Sequence, residues 1–374
     1  MSAMESYVVS VLGGRRGLVP QALRALLTPL APIYCAGLKL YLLPYSLGIR
    51  KRFRLPCRVI SIGNMTAGGT GKTPLTESLC RSLQSRGLTV AILSRGYGGR
   101  FERKSAVVSD GQRVRLTASE AGDEAYLLAR ALPGVAVVVG KDRRVTGRLA
   151  CEQFNPDVIV LDDGFQYWQL HRDLDIVLLN AYAPFDNGWT FPRGLLREPP
   201  SHLKRAGVVV LTNAARAGAD RTLGLIGRVR RLAPGRRIFT ADLAPRSLQL
   251  LGSEETQSPS WLNGKKVGAI CAVGNPASFE SMLGNLGAVV AARFRFPDHT
   301  TRTVGEVESA LEKAGAAGAE ALITTEKDAV KMAPLRGSLP ILVLKVALRL
   351  HEERGFLETV LERSGLGALR TRFV

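Results

Sequence analysis

The sequence predicts an α/β protein: a doubly wound, mostly parallel sheet, a second, smaller α/β lobe, and a hydrophobic helix at the N-terminus. Three observations carry this. From residue 58 onward, apolar β-branched runs alternate with helical stretches, the spacing of βαβ units and of a parallel sheet covered on both faces. A polar stretch rich in Ser and Gly, 252–263, interrupts the alternation, which restarts at Lys266. Ahead of both lies a segment that is at once basic and apolar.

That segment, residues 1–56, holds eight basic residues (Arg15, Arg16, Arg24, Lys39, Arg50, Lys51, Arg52, Arg54) against Glu5, a local net of eight minus one, +7. Residues 25–38 are apolar and uncharged, and the apolar character resumes over 40–43. A spanning helix needs about 20 consecutive apolar residues. Here Lys39 interrupts the run, Pro29 and Pro32 lie inside it, and no small-residue cleavage site follows in a signal-peptide layout. The pattern is that of an amphipathic or partly inserted anchor, with residues 50–54 at anionic headgroups. The alternative is a soluble helix packed on the core. No second hydrophobic segment competes as a span.

The main domain is placed at 57–245. It starts with a buried strand at 58–63, a glycine-rich loop and a helix over 73–86 that stops at Gly87. Strands follow at 89–93, 135–139, 157–161, 174–179 and 208–211, with helices at 120–132 and 142–153. The second lobe is placed at 246–340, with strands at 266–273 and 321–324. Residues 341–374 supply a return strand at 341–346 and a helix at 351–363.

Composition narrows the class. Of 374 residues, 46% are hydrophobic and 22% charged, which excludes disorder as the default. Lys and Arg total 51 against 32 acids, and the resulting +19 favours anionic partners. Nucleic acid is set aside, because no reading motif or basic–aromatic interleaving is present. Five cysteines without a CxxC pair and four histidines outside metal-ligand spacing indicate neither zinc nor a disulfide framework, and fit a reducing cytosol.

The strongest local signal is Thr66-Ala67-Gly68-Gly69-Thr70-Gly71-Lys72-Thr73, between a predicted strand and a predicted helix. Glycines let backbone N–H groups encircle phosphate oxygens, and the helix N-terminus adds partial positive charge. Lys72 reaches the β/γ-phosphates and the Thr73 hydroxyl ligates Mg²⁺. Thr66 stands where the strict P-loop pattern has its first Gly, and Ala67 where the variant pattern has an extra Lys. The nucleotide is ATP by elimination, since the nearest guanine-reading candidate, Thr325-Glu326-Lys327-Asp328, has an extra residue between Thr and Lys.

Acids complete the pattern. Residues 157–163 form an apolar strand ending in Asp162 and Asp163, where a P-loop sheet holds Mg²⁺ and its waters. Gly122-Asp123-Glu124 and Asp298-His299 are each weak alone, although transfer to a sugar hydroxyl needs a carboxylate or imidazole to take its proton. Arg95 and Arg100 flank a Gly-rich loop that either clamps phosphate or is a turn with solvated arginines, and Arg197 is of the same undecided kind. Gln166 follows Asp162-Asp163 at the carboxyl edge, where ligands of such sheets bind.

The stretches GNMTAGGTGKTP, SRGYGG, GDEAYLLAR, VVVGKDRR, VLDDGFQ, RDLDIVLLNA, LLREP, FPDH and TTEKD occur in this order over most of 57–330. Together they resemble the tetraacyldisaccharide 4′-kinase family, the lipid A 4′-kinases. The resemblance implies ATP-dependent phosphorylation of the 4′-hydroxyl of an acylated glucosamine disaccharide 1-phosphate, with Mg²⁺. It implies an N-terminal anchor on the cytoplasmic face of a bacterial inner membrane rich in anionic lipid, and two lobes on a short two-stranded linker that hinges. A monomer is expected. By resemblance, Asp123 and His299 form a catalytic dyad and Thr73, Asp162, Asp163 and Glu124 serve the metal; Arg95, Arg100, Gln166 and Arg197 are substrate candidates from their own pattern. Ala125, Thr300 and Tyr167 depart from the residues usual in the family, and none removes a group that does chemistry. The rival reading is a membrane-docked P-loop ATPase switch, against which Ala67 speaks.

Overall fold

A computed structural model of the chain describes residues 11–12, 17–297, 303–332 and 339–367. These fall into two compact units, the larger holding 11–12, 17–243 and 348–367, the smaller 244–297, 303–332 and 339–347.

The larger unit opens with α1 (Leu18–Leu27) and α2 (Leu30–Ser46). Taken together, Leu18–Ser46 is a run of 29 residues, long and apolar enough by length and composition to cross a membrane. Of its side chains only Pro20, Ala31, Leu42 and Tyr45 are buried. Leu18, Val19, Leu26, Ile33 and Leu40 are exposed, so the apolar surface of these helices is not spent on the protein's own core.

The main sheet is built from β1 (Arg58–Asn64), β2 (Val90–Ser94), β3 (Ala106–Asp110), β4 (Ala136–Val139), β5 (Val158–Asp162), β6 (Leu174–Asn180), β7 (Val208–Thr212) and the start of β8 (Arg237–Leu250). Its order is β8-β7-β6-β1-β5-β2-β4-β3, and every neighbouring pair is parallel except the edge pair β3–β4. Between the strands run α3 (Lys72–Gln84), α4 (Ala118–Ala121), α5 (Asp123–Ala131), α6 (Arg143–Phe154), α7 (Ala214–Ala217) and α8 (Ala219–Leu232).

Alternation along each strand explains the double winding. Ile60, Ile62, Ile92, Val160, Ile176 and Val210 point to one face, into a core shared with Leu79 and Leu83 of α3 and Leu128 of α5. Val59, Leu93, Ile159 and Leu161 point to the other, against Ala150 of α6, while Val209 and Leu211 pack there with Leu225 and Val229 of α8. Each fully buried aliphatic side chain of this kind stabilises the fold by about 1.5–3 kcal/mol relative to exposure. Helix and strand order thus puts the ends of β1 and β5 side by side at one edge, Ile62 opposite Asp162.

In the smaller unit, β9 (Thr256–Gln257) pairs with the end of β8, and β10 (Lys266–Cys271), α9 (Pro276–Asn285), β11 (Val289–Arg295), α10 (Val304–Ala316), β12 (Ala321–Thr325) and α11 (Glu326–Ala329) follow. The strand order is β11-β10-β12-β13, all parallel. The last strand, β13 (Ile341–Leu350), starts here and ends in the larger unit, as β8 does in reverse. Helix α12 (Glu353–Ser364) belongs to the larger unit, where Phe356 meets Phe239 edge to face with centroids 5.4 Å apart.

Two expected helices are corrected. The single helix at 120–132 is two, α4 and α5, because Gly122 sits at φ 83°, ψ 148°, outside helical space. The last helix begins two residues later than expected, since β13 runs to Leu350 and a turn at His351 and Glu352, where His351 N–H donates to the Thr240 carbonyl at 3.0 Å, precedes it. Strands β3, β8, β9 and β11 and helices α7 to α11 are additions that the sequence pattern does not place.

Candidate active site

The phosphate loop connects β1 to α3. Gly71, at φ 88°, is the left-handed residue that turns the chain into the helix, a conformation open to Gly at little cost. Pro74 falls in the first helical turn, where a missing N–H loses nothing. Asn64, fully buried at the end of β1, spans the loop by donating from Nδ2 to the Thr70 hydroxyl at 3.0 Å and the Gly68 carbonyl at 3.3 Å. From outside, the segment 195–197 braces it: Ala67 N–H donates to the Leu195 carbonyl and Arg197 N–H to the Met65 carbonyl, both at 2.8 Å. The loop is therefore held open by backbone bonds before any ligand arrives. Lys72 and Thr73 are the first two residues of α3, both partly buried.

Beside the loop stand two carboxylates with opposite tendencies. Asp162 closes β5 and is fully buried, with only 3.4 Å contacts from the Thr76 and Ser94 hydroxyls. Burial, then the Glu124 and Asp163 charges, push its carboxyl up to about 7 against the pull of Lys72 and Arg143. Asp163 is also resisted by burial, but Lys72 and Arg197 outweigh it and hold its carboxyl below the usual range. The geometry agrees. Arg197 Nη1 donates to both Asp163 oxygens, at 2.9 and 2.8 Å, and Lys72 Nζ lies 3.7 Å away. Gln166 joins this group, donating to the Asn64 carbonyl at 2.9 Å and accepting from Arg197 at 3.4 Å.

Asp123 and Glu124 occupy the first turn of α5, where the helix dipole favours negative charge. Their position is fixed by backbone against backbone. A Cβ on Gly99 would lie 2.5 Å from Gly122 N, one on Gly96 2.9 Å from the Ala121 carbonyl oxygen, and one on Gly122 2.8 Å from the Tyr97 carbonyl oxygen. Only glycine permits that approach. The Gly-rich loop 95–100 is thus the seat for the head of α5, while its arginines are otherwise engaged: Arg95 pairs with Glu102 at 2.7 Å, and Arg100 is exposed, its N–H bonded to the Ser119 carbonyl.

Of the residues singled out in the sequence, the fold brings Lys72, Thr73, Asp162, Asp163, Glu124, Gln166 and Arg197 together around the carboxyl ends of β1 and β5. Arg95 and Arg100 sit in the loop that carries α5. His299 lies outside the described residues. The Thr325–Asp328 stretch is a helix cap, with Asp328 N–H donating to Thr325 Oγ1 at 3.2 Å and the Asp328 carboxylate accepting from Ala272 N–H at 3.0 Å.

Two contributors escaped the sequence reading. Arg143, almost fully buried, has its charge facing Asp163 and Asp162; burial first pulls its guanidinium below the ordinary value, and those acids oppose this. It is set by the Asp142 cap of α6 and by the Tyr167 hydroxyl, which accepts from Arg143 N–H at 3.0 Å and donates to Asp142 at 2.8 Å. The second is Tyr34 of α2, whose hydroxyl donates to the Arg197 carbonyl at 2.8 Å. Asp142, a capping type of residue at the head of the expected helix, was legible in the sequence; a tyrosine 163 positions from its partner was not.

Comparison with known proteins falls on the same segments. A family model described as tetraacyldisaccharide-1-P 4′-kinase matches residues 23–364. The chain is similar to a tetraacyldisaccharide 4′-kinase of Geobacter metallireducens, 44% identical over 322 residues, 86% of this chain and 92% of that one. It is similar to another of Syntrophus aciditrophicus, 39% identical over 359 residues, 94% and 95% of the two chains. Among solved structures, the crystal structure of LpxK from Aquifex aeolicus in complex with ATP superposes with a TM-score of 0.73 at 31% identity, covering 91% of this chain and 99% of that one.

Proposed function

The chain belongs to the tetraacyldisaccharide-1-P 4′-kinase family and phosphorylates a lipid A precursor at its 4′ position, and we propose that the Lys72 loop, the Asp162–Asp163 pair and Asp123 carry out that transfer. The observation that carries this assignment is the split between two adjacent acids at the strand edge: Asp163 held ionised against Lys72 and Arg197, and Asp162 buried and under-bonded.

ATP sits with its phosphates in the loop. The backbone amides of 68–73 and the N-terminus of α3 supply donors and positive charge, and Lys72 neutralises the terminal phosphates. Mg²⁺ suits the donors present. Asp162 is a buried carboxylate with weak bonds that a cation would stabilise, Thr73 offers a hydroxyl, and Glu124 is close enough to raise Asp162. When bound, held by Thr73, Asp162 and Glu124, Mg²⁺ would supply neutralisation of the charge on the transferring phosphoryl group.

Asp123 accepts the proton of the sugar 4′-hydroxyl as that oxygen bonds to the γ-phosphorus and the bond to the β-phosphate oxygen breaks, releasing ADP. The exposed apolar surface of α1 and α2 supports attachment to the cytoplasmic face of the membrane, where ATP and the acylated acceptor meet.

The test is turnover and ATP affinity of Asp123→Ala and His299→Ala on the purified acylated disaccharide. Loss of at least a hundredfold in kcat with ATP affinity retained supports the roles that the resemblance gives both residues. Near-wild-type turnover removes the role from the residue concerned. ATP consumption indifferent to the lipid would instead favour an ATPase switch.

A further inference from the structure

Residues 214–237, spanning α7, α8 and the start of β8, hold seven arginines and one acid, Asp220, a local net of seven minus one, +6. This charge is about twice as dense as that of residues 1–56, and the catalytic roles do not use it. Arg221, Arg228, Arg230 and Arg231 are exposed, and among the described residues none of them is in an ion pair. Arg221 and Arg228 lie over aromatic rings instead. The Arg216 and Arg221 guanidinium carbons lie 5.5 and 4.9 Å from the Tyr182 ring centre, and that of Arg228 lies 4.4 Å from Phe185. Tyr182 is 52% exposed, and Leu223, on the same helix, 64%.

The aromatic strip continues to the N-terminal helices. In the same stretch Arg193 stacks on the half-exposed Trp189 at 5.3 Å. Asn187 Nδ2 donates to the Leu12 carbonyl at 2.7 Å, Arg193 Nε to the Thr28 hydroxyl at 3.2 Å, and the Cys35 thiol lies 3.2 Å from the Thr190 hydroxyl. One unit therefore presents three connected zones: exposed aliphatics on α1 and α2, half-exposed Tyr and Trp on 182–189, and unpaired arginines on α8. Apolar, amphipathic aromatic and cationic zones in that order match the layers of a bilayer from acyl chain to headgroup.

We propose that the arginine face of α8, with Tyr182 and Trp189, docks on anionic phospholipid headgroups as a second attachment beside α1 and α2. The proposal rests on the membrane-associated reading of the chain, and the design below separates the two. Binding to zwitterionic vesicles reports the apolar helices, and the increment on anionic vesicles reports the arginines.

The experiment is sedimentation of the full-length protein with vesicles of phosphatidylcholine alone, or with phosphatidylglycerol added. It compares wild type with Arg221→Gln/Arg228→Gln/Arg231→Gln. A near-surface arginine contributes about fivefold to partitioning, so the triple variant should lose at least about tenfold on anionic vesicles after screening. Its binding to phosphatidylcholine should be unchanged. Turnover on detergent-dispersed acceptor should equal wild type, which shows that the variant folds. The matched variant Arg103→Gln/Lys104→Gln/Arg113→Gln, with the same charge removed from an exposed stretch elsewhere, should keep its anionic binding. The lysine triple Arg221→Lys/Arg228→Lys/Arg231→Lys should keep most of it. Equal loss in the matched variant, an equal drop on both vesicle types, or unchanged anionic binding would overturn the proposal. So would loss of RNA retention with vesicle binding intact, which would assign the face to another polyanion.

Discussion

Replacing Gly122 by alanine tests whether the seat of α5 governs the chemistry. Gly122 adopts φ 83°, ψ 148°, a region near which L-residues carry about 1–3 kcal/mol of strain. Its new Cβ would stand 2.8 Å from the Tyr97 carbonyl oxygen, where ordinary contact begins at 3.4 Å, so the two backbones must part by 3.4 minus 2.8, or 0.6 Å. Asp123 is the next residue and moves with them. A displacement of about 1 Å at a reacting group can cost about a hundredfold, so kcat should fall between about tenfold and a hundredfold. The phosphate loop is not in that contact, and ATP affinity should stay within about twofold. Steady-state turnover on detergent-dispersed acceptor, calorimetric ATP binding and denaturant unfolding measure the three quantities. A folded Gly122→Ala protein with wild-type kcat, or one whose ATP affinity falls in step with kcat, would refute the reasoning.

Arg197→Ala takes away the cation that hydrogen-bonds Asp163 and leaves it Lys72 and the charge of Arg143, so Lys72 is drawn from phosphate to carboxylate. ATP should bind about tenfold more weakly, and Arg197→Lys should restore only part of the loss because a flexible ammonium stem holds the two oxygens less firmly than the rigid guanidinium does; calorimetry checks both. Tyr34→Phe removes one hydrogen bond to the Arg197 carbonyl and should lower detergent-phase kcat/KM for ATP by about two- to tenfold while vesicle binding is unchanged, a split that anchoring alone does not produce. Asp142→Ala removes the cap of α6 and the acceptor of Tyr167, for about 1 kcal/mol of stability by denaturant unfolding. The bonds from Arg144, then Tyr167, hold the Asp142 carboxyl below its usual range, so this stabilisation is present above about pH 4 and lost as pH falls through the folded-state value. Wild type and variant should therefore converge in acid.

The sheet was legible because its strands are buried on both faces, and runs such as Val158–Asp162 carry no competing period. The edge strand β11 was not. Its side chains alternate between exposed and half-buried, and its alanines and arginines suit a helix as well. The phosphate loop and strand-end acids lie close in sequence to the elements that aim them, so local pattern sufficed. Arg143 and Tyr34 act through partners far along the chain, Asp163 and the Arg197 carbonyl, and no local spacing encodes such a meeting. Gly96, Gly99 and Gly122 are a middle case. The sequence showed glycines that suited a flexible clamp, and the structure shows a rigid contact between two backbones.

Amides around Lys72 grip ATP while a membrane-held sugar receives its terminal phosphoryl group. Mass spectrometry and phosphorus NMR of the acylated disaccharide after incubation with ATP and Mg²⁺ test it most directly. Wild-type protein should add one phosphoryl group on the 4′ oxygen, and Lys72→Ala none. An unmodified lipid beside hydrolysed ATP, or full product from the Lys72→Ala protein, would contradict it.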